Sequence, residues 1–139
     1  MRVFLDANVL FTAAHNPTGL ARLLFDLDRH RVLRLVSSGL AVDEARANLR
    51  LKAPDRADAL DPLASQLQLV ATPVVAITLP HLPPDDELIL AAAVAARATH
   101  LLTGDKKHFG PYFRSPGRTH GVIIQTVRTF FVDRFGLRE

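Results

Sequence analysis

Short apolar runs recur along this chain, and helical sequence separates each from the next. Arg2–Leu5, Leu33–Val36, Leu69–Val75, His100–Thr103 and Gly121–Ile124 read as strands. Val9–Ala14, Gly19–Arg29, Leu40–Leu51, Asp55–Leu67, Asp85–Ala98 and Val127–Phe135 read as helices. Thr18 is a candidate cap for the second helix, and Pro62 a candidate interruption of the fourth. Pro73 places part of the third strand at a sheet edge, because proline offers no N–H to a ladder. This alternation predicts a largely parallel sheet with helices on both faces, joined by right-handed crossovers. Ligands bind such sheets outside the carboxyl ends of the strands. Asp6 and Asp105 stand there, immediately after apolar runs.

Composition supports one compact domain over residues 1–139. A 48% hydrophobic content can fill a core at this length, and 22% charged residues with a mean hydropathy of +0.13 argue against a disordered chain. The absence of cysteine excludes disulfides, thiolate metal sites and cysteine nucleophiles, and fits a reducing cytosol. The longest apolar stretch, Leu88–Ala96, is too short to cross a bilayer, and the run of three apolar residues before Asp6, Val3-Phe4-Leu5, is too short for a signal-peptide core. A soluble cytoplasmic protein with no membrane partner is expected. Pro80–Pro84 reads as a rigid loop and Gly110–His120 as a flexible one.

The acids gain meaning from their settings. Asp6 alone reads equally well as a helix cap, and Asn8 could cap the same helix. One helix start does not need two caps, which leaves Asp6 open to another role. Glu44 shares a helical face with Leu40, Ala41, Ala45, Asn48 and Leu49, and is expected on a core-facing stripe. An acid there is costly unless paired or bound to a cation. Asp43 lies about a hundred degrees away and reads as a surface acid. Asp85, Asp86 and Glu87 open an Ala-rich helix, where acids complement the dipole. Asp105 sits in ordinary Gly-Asp turn chemistry.

Together these acids carry more weight. Carboxylates gathered at one sheet edge repel each other, and their pKa values rise unless cations fill the pocket. All-oxygen ligands suit Mg²⁺ or Mn²⁺ rather than Zn²⁺. Two such ions can activate a water and stabilise the leaving oxygen in phosphodiester cleavage. Charge balance points the same way. With 17 Lys and Arg against 14 acids, setting four acids aside leaves seven positive charges in excess. A basic surface around an acidic pocket suits a polyanion that is to be cut.

The sequence resembles the PIN-domain family. Val3-Phe4-Leu5-Asp6-Ala7-Asn8 is similar to the family's opening strand and Asp-x-Asn. Ser38, with Glu44 six residues later, resembles the second motif, and Pro84-Asp85-Asp86-Glu87 before Leu88–Ala93 the third. Leu101-Leu102-Thr103-Gly104-Asp105, followed by Phe109, resembles the fourth. The likeness runs from residue 3 to about 124 with the motifs in order; residues 121–139 carry no assigned motif. It implies a three-layer α/β/α sandwich around a mainly parallel sheet. It also implies that Asp6, Glu44, Asp86 and Asp105 are catalytic, as ligands of Mg²⁺ or Mn²⁺ or acids supporting them. Asn8 and Thr103 would orient them. Asp85 competes with Asp86 for the third position, and the register of the Ala-rich helix favours Asp86.

Compact PIN proteins of this length resemble VapC-type toxins, RNA-cutting partners of an antitoxin. The partners implied are RNA cut in single-stranded regions and an antitoxin protein, with a homodimer as a further option. A solitary PIN nuclease and an inactive PIN-like RNA-binding module are the alternatives. A haloacid dehalogenase-type phosphatase needs a second Asp where Asn8 stands, and a receiver-like domain needs paired acids near the first strand. The six histidines show no His-x-x-x-His spacing, which argues against zinc. His108 reads as a solvated side chain near Asp105, and Phe130-Phe131 as core or interface.

Overall fold

The computed structural model describes residues 1–74 and 77–138. Its five strands are β1 (Arg2–Leu5), β2 (Arg34–Ser38), β3 (Gln68–Val70), β4 (His100–Leu102) and β5 (Ile123–Gln125). They form one sheet in the order β3-β2-β1-β4-β5, and every neighbouring pair is parallel. The helices are α1 (Ala7–His15), α2 (Leu20–Arg29), α3 (Gly39–Lys52), α4 (Leu60–Gln66), α5 (Pro84–Ala95), α6 (Lys106–Phe109) and α7 (Val127–Phe135). With the right-handed crossovers that parallel strands favour, this order places α1–α4 on one face of the sheet and α5 on the other. Accordingly α1 packs against α2, α3 and α4, while α5 packs on β2 and β4. This is the α/β/α architecture expected.

Strand β1 is central, and Val3, Phe4 and Leu5 are fully buried. A parallel strand covered on both faces needs such a continuous apolar run. Each side chain of this size contributes about 1.5–3 kcal/mol through burial. From β1 the chain first builds outward through β2 to β3, then returns to the other side of β1 at β4. That reversal leaves a crevice at the carboxyl ends of β1 and β4. Leu5 pairs with Leu102, so Asp6 and Thr103 emerge at the same level, and the Asp6 N–H donates to the Leu102 carbonyl at 3.1 Å.

Several boundaries differ from expectation for local reasons. The fourth helix is broken into a 3₁₀ turn at Pro54–Ala59 and α4. Pro62 falls in the first turn of α4, where a missing N–H costs nothing. Gly19, not Thr18, precedes α2; Thr18 instead donates its N–H and hydroxyl to Asn16 Oδ1. Strand β3 ends at Val70, ahead of Pro73, and Val75 lies outside the described residues. The segment expected as a loop at 110–120 contains two 3₁₀ turns, and Tyr112 and Thr119 within it are buried. Phe130 and Phe131 are both buried, with near-perpendicular rings 5.7 Å apart. Among the described residues no helix is long and apolar enough to cross a membrane.

Candidate metal centre

Asp6 turns the chain from β1 into α1. Its backbone is extended, and its Oδ1 accepts the Ala7 N–H at 2.8 Å. The helix thus begins two residues earlier than expected, and Asp6, not Asn8, is its cap. Asp6 is itself the cap, so the presence of Asn8 frees it for nothing further. What distinguishes this residue is its second oxygen, Oδ2, which accepts from the Thr103 hydroxyl at 2.8 Å and from Asn8 Nδ2 at 3.4 Å. Asn8 also accepts the Gly104 N–H on Oδ1 at 2.7 Å. The Thr103 hydroxyl accepts from Asn8 Nδ2 at 3.3 Å and from the Asp105 N–H at 3.1 Å. One donor and two acceptor positions are all a hydroxyl has, so Thr103 is fully used. A Cβ at Gly104 would stand 3.3 Å from Asn8 Oδ1, so glycine permits the close crossing of the two loops.

Asp105 precedes the short helix α6. Its Oδ1 accepts the His108 N–H at 3.0 Å, and its Oδ2 lies 2.8 Å from His108 Nδ1. The same ring nitrogen is 3.3 Å from Asp86 Oδ2. One ligand atom from each of Asp86, Asp105 and His108 can be chosen so that all lie within 4.8 Å of one another. His108, expected to be solvated, is therefore part of the cluster. Its three-residue offset from an acid at a helix start encodes the contact with Asp105, but not the one with Asp86.

Helix α5 turns Asp86 toward His108, whereas Asp85 is exposed at the rim. Glu87 faces away and accepts the Leu79 N–H at 3.1 Å. Glu44 does not lie on a core-facing stripe as expected. Ala41, Val42, Ala45 and Leu49 of α3 face the core, but Glu44 and Leu40 are exposed. Their shared face fronts a cleft rather than the interior. That cleft, about 540 Å³, is lined by carboxylates of Asp6, Asp43, Glu44, Asp85, Asp86 and Asp105, with Asn48 and Ile89 beside them. Asp43, read as a surface acid, also lines it.

The acids oppose one another electrostatically. Burial pushes the Asp6 carboxyl up, against the hydrogen bonds from Thr103 and Ala7, and the charge of Asp105 adds to the rise. Asp86 is pushed up to about 6, first by burial and then by Asp105 and Asp6; His108 relieves it in part. Glu44 is raised by lost solvation, then by Asp6 and Asp85. Burial also pushes Asp105 upward, but hydrogen bonds from the His108 backbone and ring outweigh it and hold Asp105 below the usual range.

These donors fit a hard divalent cation. Carboxylate oxygens dominate, and a fourth position among the roughly four acceptor sites of the Asp6 carboxylate remains after its three hydrogen bonds. The raised Asp86 and Glu44 mark a place short of positive charge.

Comparison with known proteins agrees with the fold. A PIN-domain family model matches residues 2–107, and the chain belongs to the PIN-domain family. No curated protein matches its sequence. Among solved structures it is similar to VapBC2 from Rickettsia felis bound to a DNA fragment from their promoter. That likeness has a TM-score of 0.64 at 17% identity and covers 91% of this chain and 98% of that chain. It is also similar to VapBC-1 from nontypeable Haemophilus influenzae, with a TM-score of 0.54 at 16% identity, covering 92% of this chain and 99% of that one. At such identities the likeness is one of fold.

Proposed function

We propose that the chain is a Mg²⁺- or Mn²⁺-dependent endoribonuclease, one nuclease domain over residues 1–139 that acts in the cytoplasm on single-stranded RNA. Its proposed ligands are Asp6, Glu44, Asp86 and Asp105. The observation that supports this best is the meeting of these carboxylates, from four separate segments, in one cleft at the sheet's reversal point. When bound, one or two such ions supply water activation and stabilise negative charge developing at phosphorus.

The chain's own side chains prepare that chemistry. Thr103 and Asn8 both donate to Asp6 Oδ2, which fixes the carboxylate plane. His108 does the same for Asp105 and sits against Asp86. Asp85 stays at the rim, where its charge raises Glu44.

The VapC-type resemblance and the VapBC neighbours support a finer reading, the toxin of a type II toxin–antitoxin pair. Its partner would then be an antitoxin protein, and a homodimer is the assembly to look for. Cleavage of matched RNA and DNA panels, with Mg²⁺ or Mn²⁺ and with EDTA, tests the activity. RNA cut only in the presence of metal is the expected result. DNA cut in preference to RNA, or cutting in EDTA, would contradict it.

A further inference from the structure

A second groove adjoins the acid cleft. It measures about 800 Å³ and lies between α1, the start of α2 and the start of α7. Asn8 lines both spaces, and along one short loop Gly104 faces the second groove while Asp105 faces the first. The two therefore meet at Asn8 and at the Gly104-Asp105 turn, over the end of the sheet.

Their chemistry is opposite. Six carboxylates line the first, and none lines the second. The second carries Lys106 and Arg128, both exposed, and neither is in an ion pair among the described residues. Half-buried Phe113 adds an aromatic ring beside Val9 and Leu20. Cations neutralise phosphates, and a ring face accepts any base by stacking. Two unpaired cations suit a polyanion better than an apolar protein segment.

We infer that this groove holds nucleotides flanking the cut site of a single-stranded RNA, with Lys106 and Arg128 on its phosphates and Phe113 against a base. The inference rests on the proposed nuclease reading for the identity of the polyanion.

The test is equilibrium binding of fluorescein-labelled octauridylate to the whole chain in EDTA, across a salt series. Arg128→Ala and Lys106→Ala should each reduce the slope of log affinity against log salt by about 0.7, the value for one phosphate contact on a single strand. At low salt that loss weakens binding by about five- to tenfold. Arg128→Lys should restore the slope. Phe113→Leu should weaken binding about fivefold or more with the slope unchanged. Unchanged slope and affinity in both cation variants, or no binding by the wild-type chain, overturns the inference. Metal-dependent RNA cleavage with a KM insensitive to Arg128→Ala would sink the groove and leave the nuclease reading standing. A slope change in a chain that cuts no RNA would do the reverse.

Discussion

The Thr103 hydroxyl donates to Asp6 Oδ2 at 2.8 Å, joining the residues that follow β4 and β1 across the middle of the sheet. Thr103 is completely buried, and its oxygen also receives the Asn8 amide and the Asp105 N–H. Thr103→Val keeps the shape but leaves these groups without their partner. It should lower unfolding stability by about 1–3 kcal/mol in urea denaturation. Thr103→Ser, which keeps the hydroxyl, should lose about 1 kcal/mol or less, a methyl's worth. Equal losses in the two variants would show that the hydroxyl does not organise this junction.

The acids set a pH dependence for the metal-free chain. Asp86 titrates near 3.8 when unfolded and at about 6 when folded, so between these values the folded chain holds more protons. The contribution of Asp86 to stability is then greatest below the unfolded value and falls as pH rises through the window. The raised Asp6 and Glu44 act in the same direction, while the lowered Asp105 and His100, the latter pushed down to about 4 by burial, oppose them. Thermal unfolding in EDTA isolates the Asp86 part: the Tm of Asp86→Asn relative to the wild type should rise from pH 4 to 6, the range bounded by those two values. A Tm difference that stays constant across that range would contradict the crowding of acids.

Relief of the same repulsion links metal to stability. A cation bound at a hundred times its Kd adds about 2.7 kcal/mol, so Mn²⁺ should raise Tm. Asp86→Asn should stabilise the metal-free chain at neutral pH by about 1–3 kcal/mol after allowance for screening. The same substitution should shrink the Mn²⁺ response. An undiminished response in Asp86→Asn would remove Asp86 from the proposed ligand set.

His108 is predicted to hold Asp105 down. In His108→Ala the backbone N–H still reaches Asp105, but the ring contact at 2.8 Å is gone. The Asp105 carboxyl should therefore titrate higher, which carboxyl ¹³C NMR of the metal-free chain would read directly. A depressed acid stabilises above its unfolded pKa and loses that contribution as pH falls through its folded value. The variant should accordingly lose roughly 1 kcal/mol or less at neutral pH, since both side chains are partly exposed. An unmoved Asp105 would assign its low value to the helix start alone.

The central strands were legible because burial on both faces demands an unbroken apolar run, as in Val3-Phe4-Leu5 and His100-Leu101-Leu102. The acids that follow them stood out for the same reason. Periodicity also grouped Glu44 with Leu40, but it cannot say whether a shared face meets core or cleft, and here both are exposed. Spacing could not choose between Asp6 and Asn8 as the cap, because that depends on which backbone is extended. The meeting of His108 with Asp86 depends on α5 coming across to α6, a contact between distant segments that no local pattern encodes.

The most direct test of the account is Asp6→Asn. Asparagine caps a helix as well as aspartate does, so α1 should keep its start while the cleft loses one charge. The assay is RNA cleavage by the variant at saturating Mg²⁺, with Tm confirming the fold. The rate should fall by at least about a hundredfold, the upper range for residues that merely support a ligand. A folded Asp6→Asn that cuts RNA at the wild-type rate would contradict it.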